Sequence, residues 1–223
     1  MASEHNPNHT EAQKRGIRRT VFFLVLLVLV VIGLAFNKIL REPPLDRDQL
    51  RQNNAFLLES PRRFTPFELV DHRGESFTHE DLQGQWSLVF FGFTHCPDIC
   101  PMTMMDLADL VQVLPEDIAD NTQVLLVTVD PGRDTPGVLA EYVPHFNEDF
   151  IGVTGEFLTI RRFANELNVA FARVTQGDDY TVDHGSQVVL INPKGDYHAF
   201  FRPPFDIEQL NSTYGAIYRD FRF

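Results

Sequence analysis

The longest apolar run in the chain is Thr20 to Phe36, 17 residues without a charge and almost all Val, Leu, Ile or Phe. That is the short end of what a membrane-crossing helix requires. Residues 37–60 are polar and weakly patterned, with Pro43-Pro44 and Gln52-Asn53-Asn54, and read as a tether. From Pro61 onward, strand-length apolar runs alternate with helical periodicity. Phe64 to Val70 reads as a strand, Asp71-His72-Arg73-Gly74 as a turn, and Ser76-Phe77 as a short second strand. Thr78 to Leu82 resembles a capped helical turn closed by Gly84. Ser87 to Phe93 is a buried strand. A helix follows from about Pro101 to Leu114, with Leu107, Leu110, Val111 and Leu114 as its apolar stripe.

Val124 to Val129 is another buried strand. Asp134-Thr135-Pro136 opens a helix reaching about Tyr142, Phe150 to Val153 reads as a short strand, and Phe157 to Leu167 as a helix. Val188 to Ile191 and His198 to Phe201 pair antiparallel across the turn Asn192-Pro193-Lys194-Gly195. Asp206, with Gln209 three residues on, caps a final helix to about Tyr218. This order predicts an α/β domain, a central sheet with helices on both faces and an N-terminal β-hairpin. A strand leading directly into a cysteine-bearing helix points to a thioredoxin-like fold. The expected organisation is a tail over 1–19, an anchor over 20–36, a tether over 37–60 and the domain over 61–223.

Charge fixes the orientation of the anchor. Lys14, Arg15, Arg18 and Arg19 precede the apolar run, while only Lys38 and Arg41 closely follow it. The positive-inside rule leaves the tail in the cytoplasm and the domain outside, in the periplasm if the source is bacterial. A cleaved signal peptide is the rival, with Gly33-Leu34-Ala35 as a small-x-small site. The run exceeds the 7–15 residues of a signal core, which favours an uncleaved anchor. Residues 1–41 carry net charge +4 and the remainder −16. So acidic a body argues against nucleic-acid binding. It suits a cation or a basic partner, or simply keeps the domain soluble.

The two cysteines, Cys96 and Cys100, lie four apart in FFGFTHCPDICP. At a helix start, that spacing puts both on one face with Cβ atoms about 5–6 Å apart. They are too close to form a structural framework, because bridging so short a loop removes little chain entropy. Two thiolates can close into a disulfide or grip a soft ion such as Cu(I) or Zn. Two sulfurs under-coordinate most metals, so a third ligand is expected. Of the chain's eight histidines, His184 is the best candidate, just before a core strand in YTVDHGSQVVLIN.

FGFTHCPDICP, then TVDPGRDTP over 128–136, then VDH before a strand, resembles the SCO/SenC family. The segments GESFTHEDLQGQ and IGVTG add to the resemblance, which spans roughly Phe64 to Gly195. It implies a membrane-anchored, thioredoxin-like copper-binding protein that assists assembly of the binuclear CuA centre of cytochrome c oxidase. It implies Cys96, Cys100 and His184 as ligands of Cu(I), Cu(II) or both. The expected partners are the oxidase's copper-bearing subunit and other periplasmic copper chaperones or thiol reductants. The alternative is a thiol–disulfide oxidoreductase, with Cys96 attacking and Cys100 resolving, that keeps CuA-site or other periplasmic cysteines reduced. Against it, the spacing is C-x-x-x-C, and His184 stands where thioredoxins place a proline. A peroxidase reading is weaker, since the T-x-x-C pattern is only half met by Thr94-His95-Cys96.

Asp183 is a candidate acceptor for the distal His184 nitrogen. Asp130, Arg133 and Asp134 are expected to form a structural and capping network beside the cysteine loop. His95 is expected to point away from the metal, and Asp98 to sit at the helix N-terminus. Met102, Met104 and Met105 make this helix unusually Met-rich; packing is their expected role. His5 and His9 fall in the tail, far from the cysteines.

Overall fold

The computed structural model describes residues 11–40, 46–177 and 179–221. The chain divides into two compact units, Met1–Pro44 and Leu45–Phe223. In the first, helix α1 spans Glu11–Leu40. Its segment Arg15–Leu34 is apolar enough to cross a membrane and none of it is buried against protein. Its 20 residues extend about 30 Å, the thickness of a bilayer's hydrocarbon core. His5, His9 and tether positions 41–45 lie outside the described residues.

The second unit is built on an eight-stranded sheet of order β1-β10-β9-β4-β5-β6-β2-β3. These strands are β1 Ala55–Arg62, β2 Glu68–Asp71, β3 Ser76–Thr78, β4 Trp86–Gly92, β5 Thr122–Thr128, β6 Ile151–Thr154, β9 Val188–Ile191 and β10 Tyr197–Phe201. β4 runs parallel to β5 and antiparallel to β9, and every one of its residues is buried. A strand covered on both faces needs no polar alternation, which is why WSLVFFG is continuously apolar. The helices are α2 Arg47–Gln52, α3 Ile99–Val113, α4 Glu116–Ala119, α5 Pro136–Tyr142, α6 Phe157–Glu166 and α7 Ile207–Asp220. Thr135 caps α5, its hydroxyl accepting from Val138 N at 3.4 Å with Pro136 in the first turn, and Asp206 caps α7. The α/β, thioredoxin-like architecture with a β2–β3 hairpin and an apolar N-terminal helix is the one the pattern predicts.

Three segments differ from the sequence reading. The tether expected over 37–60 overlaps folded structure: Asp46 caps α2 and Ala55 starts β1, which pairs with β10. β1 is an edge strand whose second half is exposed, so it lacks the apolar alternation that reveals buried strands. The strand expected from Phe64 begins only at Glu68. Phe64 and Phe67 instead pack on Phe163, with ring centroids 5.3 and 4.4 Å apart. Finally, β7 Phe171–Gln176 and β8 Asp179–His184 form a separate two-stranded sheet in a stretch that carried no predicted element.

Candidate metal centre

β4 ends at Gly92, and the chain turns at once: the Cys96 amide donates to Phe93 O at 3.3 Å. The helix opens at Ile99, so Cys100 falls in its first turn and its side chain is fully buried. There the Cys100 amide, one of the helix's free N-terminal donors, points at Cys96 Sγ at 3.4 Å. Gly92 makes room for this turn. A Cβ on it would lie 3.1 Å from Cys100 Sγ and 2.7 Å from Phe90 Cε1. Cys96 stays partly exposed, and both thiols are free.

His184, the last residue of β8, brings Nε2 to 3.4 Å from Cys100 Sγ. The ligand atoms of Cys96, Cys100 and His184 all lie within 4.8 Å of one another. His184 Nδ1 donates to Gly185 O at 3.0 Å. A carbonyl only accepts, so this bond fixes the proton on Nδ1 and turns the Nε2 lone pair toward the sulfurs. Phe90 and Phe93 hold the imidazole edge-to-face, centroids 5.9 and 5.8 Å away. Burial lowers the His184 pKa, favouring the neutral, ligating form. Burial, and then the neighbouring Cys96 sulfur, push the Cys100 thiol far above its ordinary value. A cation arriving here displaces that proton and neutralises the buried sulfur. Two sulfurs and one imidazole nitrogen, gathered this closely, fit a single soft ion in a trigonal arrangement.

The SCO1/SenC family model matches residues 58–217. The chain is a member of the SCO1/SenC family. A Stutzerimonas stutzeri protein named for copper binding is 36 % identical over 184 residues, covering 82 % of this chain and 89 % of its own. Among solved structures, copper-bound Arabidopsis thaliana ScoI is 31 % identical with a TM-score of 0.67, covering 71 % of this chain and 99 % of that one. Copper-bound yeast Sco1 is 32 % identical with a TM-score of 0.66, covering 73 % and 91 %.

Two networks position the donors in this SCO1/SenC chain. Asp134 is fully buried and accepts from Thr94 N (3.0 Å), Thr94 Oγ1 (2.6 Å) and Thr128 Oγ1 (2.6 Å). It thereby ties the cysteine loop to the end of β5. The second network anchors the β7–β8 hairpin that carries His184. Arg133 pairs with buried Asp130. The Arg133 and Arg173 guanidiniums pack on the Tyr180 ring, 4.0 and 3.9 Å from its centre. The Tyr180 hydroxyl donates to Asp130 at 3.0 Å. Tyr180 and Arg173 went unnoticed in the sequence; their only signal is alternation within a short, mostly exposed hairpin.

No other His, Asp or Glu among the described residues joins the convergent group. His95 is exposed, with Nδ1 3.1 Å from Thr94 Oγ1 and 3.9 Å from Asp134. Asp183 is exposed and is not the His184 acceptor; the backbone of Gly185 takes that role, because β8 ends there and frees its carbonyl. Met104 is buried, whereas Met102 and Met105 are exposed.

Proposed function

We propose that this chain binds one copper ion tightly through Cys96 Sγ, Cys100 Sγ and His184 Nε2. From a membrane anchor, with the domain on the periplasmic side, it passes the ion to the CuA-bearing subunit of cytochrome c oxidase. The carrying observation is the convergence, within 4.8 Å, of three soft donors drawn from two elements 84 residues apart in sequence. Copper in the related ScoI and Sco1 structures supports the choice of metal. Lys14, Arg15, Arg18 and Arg19, in α1 ahead of its apolar run, support the orientation. The resemblance supports the oxidase, with periplasmic copper chaperones or thiol reductants as further partners.

Delivery is a ligand exchange. Cys96 is the accessible sulfur, so an acceptor thiolate first replaces it on the ion. Cys96 leaves as a thiolate and takes a proton from solvent; further acceptor ligands then replace His184 and Cys100, and the Cys100 sulfur likewise takes up a proton, matching those the acceptor thiols lose. No electron changes hands. The experiment is Cu(I) titration of the reduced full-length chain beside Cys96→Ser, Cys100→Ser and His184→Ala. One tight equivalent is expected, weakened in each variant. Full affinity in His184→Ala removes it from the ligand set. Absent copper uptake with brisk reduction of an insulin disulfide establishes the oxidoreductase instead.

A further inference from the structure

Helix α3 has two chemically different faces. The inner one carries Cys100, Met104, Leu107 and Ala108, all buried. On the outer one, Met102 and Met105 are 55 % and 59 % exposed. Packing explains Met104, which fills the core; it explains neither of the other two, whose thioethers face solvent. Residues three apart on a helix are neighbours, with Cβ atoms about 5–6 Å apart. The same face continues to Asp98, four residues before Met102, and to Asp109, four after Met105, both exposed. An acid, two thioethers and an acid therefore lie in one line. Asp98, at the start of α3, makes no capping hydrogen bond, and the helix contains no Lys or Arg.

Thioether sulfur is an uncharged, soft donor that selects monovalent copper over harder divalent ions. Carboxylates flanking it supply the attraction that neutral sulfur lacks. We propose that the outer face of α3 is a second, weaker site for Cu(I), with Met102 and Met105 as ligands and Asp98 and Asp109 drawing the cation in. It shares no donor with the Cys96, Cys100 and His184 set and stands independently of it. The two sites occupy opposite faces of the first two turns of α3: Met102 and Met105 lie about 3 and 7.5 Å along the axis from Cys100. An ion waiting on the thioethers is separated from the deeper site by the width of the helix, about 10 Å.

The chain contains four methionines, Met1, Met102, Met104 and Met105, so methyl-13C labelling of the full-length protein in detergent gives four signals. Met→Leu variants assign them and leave volume and exposure little changed. The probe is Ag(I), a redox-inert soft monovalent ion. A first equivalent, consuming the cysteine thiols, is expected to leave the Met102 and Met105 methyls in place. A second equivalent shifts both and leaves Met104 unmoved. Met102→Leu and Met105→Leu each weaken the second equivalent by about 10-fold or more, and the double variant abolishes it. Asp98→Asn with Asp109→Asn weakens it less. A second equivalent that moves neither methyl, or that the double variant binds undiminished, overturns the proposal. A first equivalent that leaves the thiols titratable counts against the Cys–Cys–His centre alone.

Discussion

Adding one methyl group at Gly92 tests whether packing holds the Cys100 sulfur in place. The backbone there is not in the left-handed region, so an L residue fits it and only space is at issue. The new Cβ meets Phe90 Cε1 at 2.7 Å, Cys100 Sγ at 3.1 Å and Leu126 Cδ1 at 3.2 Å. All three neighbours are fully buried and have no solvent-side escape. Relieving such contacts toward ordinary separations moves each by roughly half an ångström. Overpacking a full core costs about 1–3 kcal/mol. For a domain of this size, 2 kcal/mol lowers Tm by about 4–8 °C. The displaced sulfur also exceeds the ~0.2 Å tolerance of metal–ligand distances, and copper affinity should fall about 10-fold. Gly132→Ala is the control: its nearest atom is Asp130 Oδ1 at 3.8 Å, an ordinary contact. Thermal melting of the apo protein and Cu(I) competition against a chromogenic chelator read both effects. A Gly92→Ala protein that melts with Gly132→Ala and binds copper as tightly as wild type refutes the reasoning.

Asp134→Ala strands three donors, two threonine hydroxyls and the Thr94 amide; about 3 kcal/mol or more of stability should be lost in urea unfolding, with Asp134→Asn milder. Tyr180→Ala removes two cation–π contacts and the bond to Asp130, and should raise amide exchange in β8 with β4 unchanged; unaltered β8 exchange refutes the anchoring role. His198 packs against Trp86 and Phe221, and burial lowers its pKa to about 4, with Asp220 and Asp196 pulling weakly the other way. Its folded pKa is depressed below the unfolded value of about 6.5, so its share of stability is complete above that pH and is lost as pH falls to about 4. Discounted for partial exposure, the share is roughly 2 kcal/mol, and His198→Gln should flatten the pH dependence of unfolding over this window by that amount.

The buried strands were legible because burial on both faces writes itself as unbroken Val, Leu, Ile and Phe, as in β4, β5 and β9. The cysteine turn was legible because its donors are local. β7 and β8 were not: β7 is exposed in all but its first residue, and β8 buries only Val182. What holds them is a ring between two guanidiniums brought together from positions 133, 173 and 180. β1 was lost in an apparent tether for the same reason, since its partner strand lies some 140 residues on. His184 was selected from eight histidines by its place before a strand, but its approach to Cys100 and its Gly185 hydrogen bond are products of the hairpin. The need for glycine at position 92 exists only once Phe90, Leu126 and Cys100 converge.

The ribbon formed by β7 and β8 lies outside the eight-stranded sheet and keeps its own ladder of hydrogen bonds. His184, one of the three candidate donors, therefore rides on a ribbon that shares no strand pairing with the main sheet. Opening such a ribbon costs less than unfolding the domain, so under the proposed function it would govern the His184 step of release, after Cys96 has been replaced. Loosening the Arg–Tyr clasp should then speed that step while the two sulfurs stay where they are.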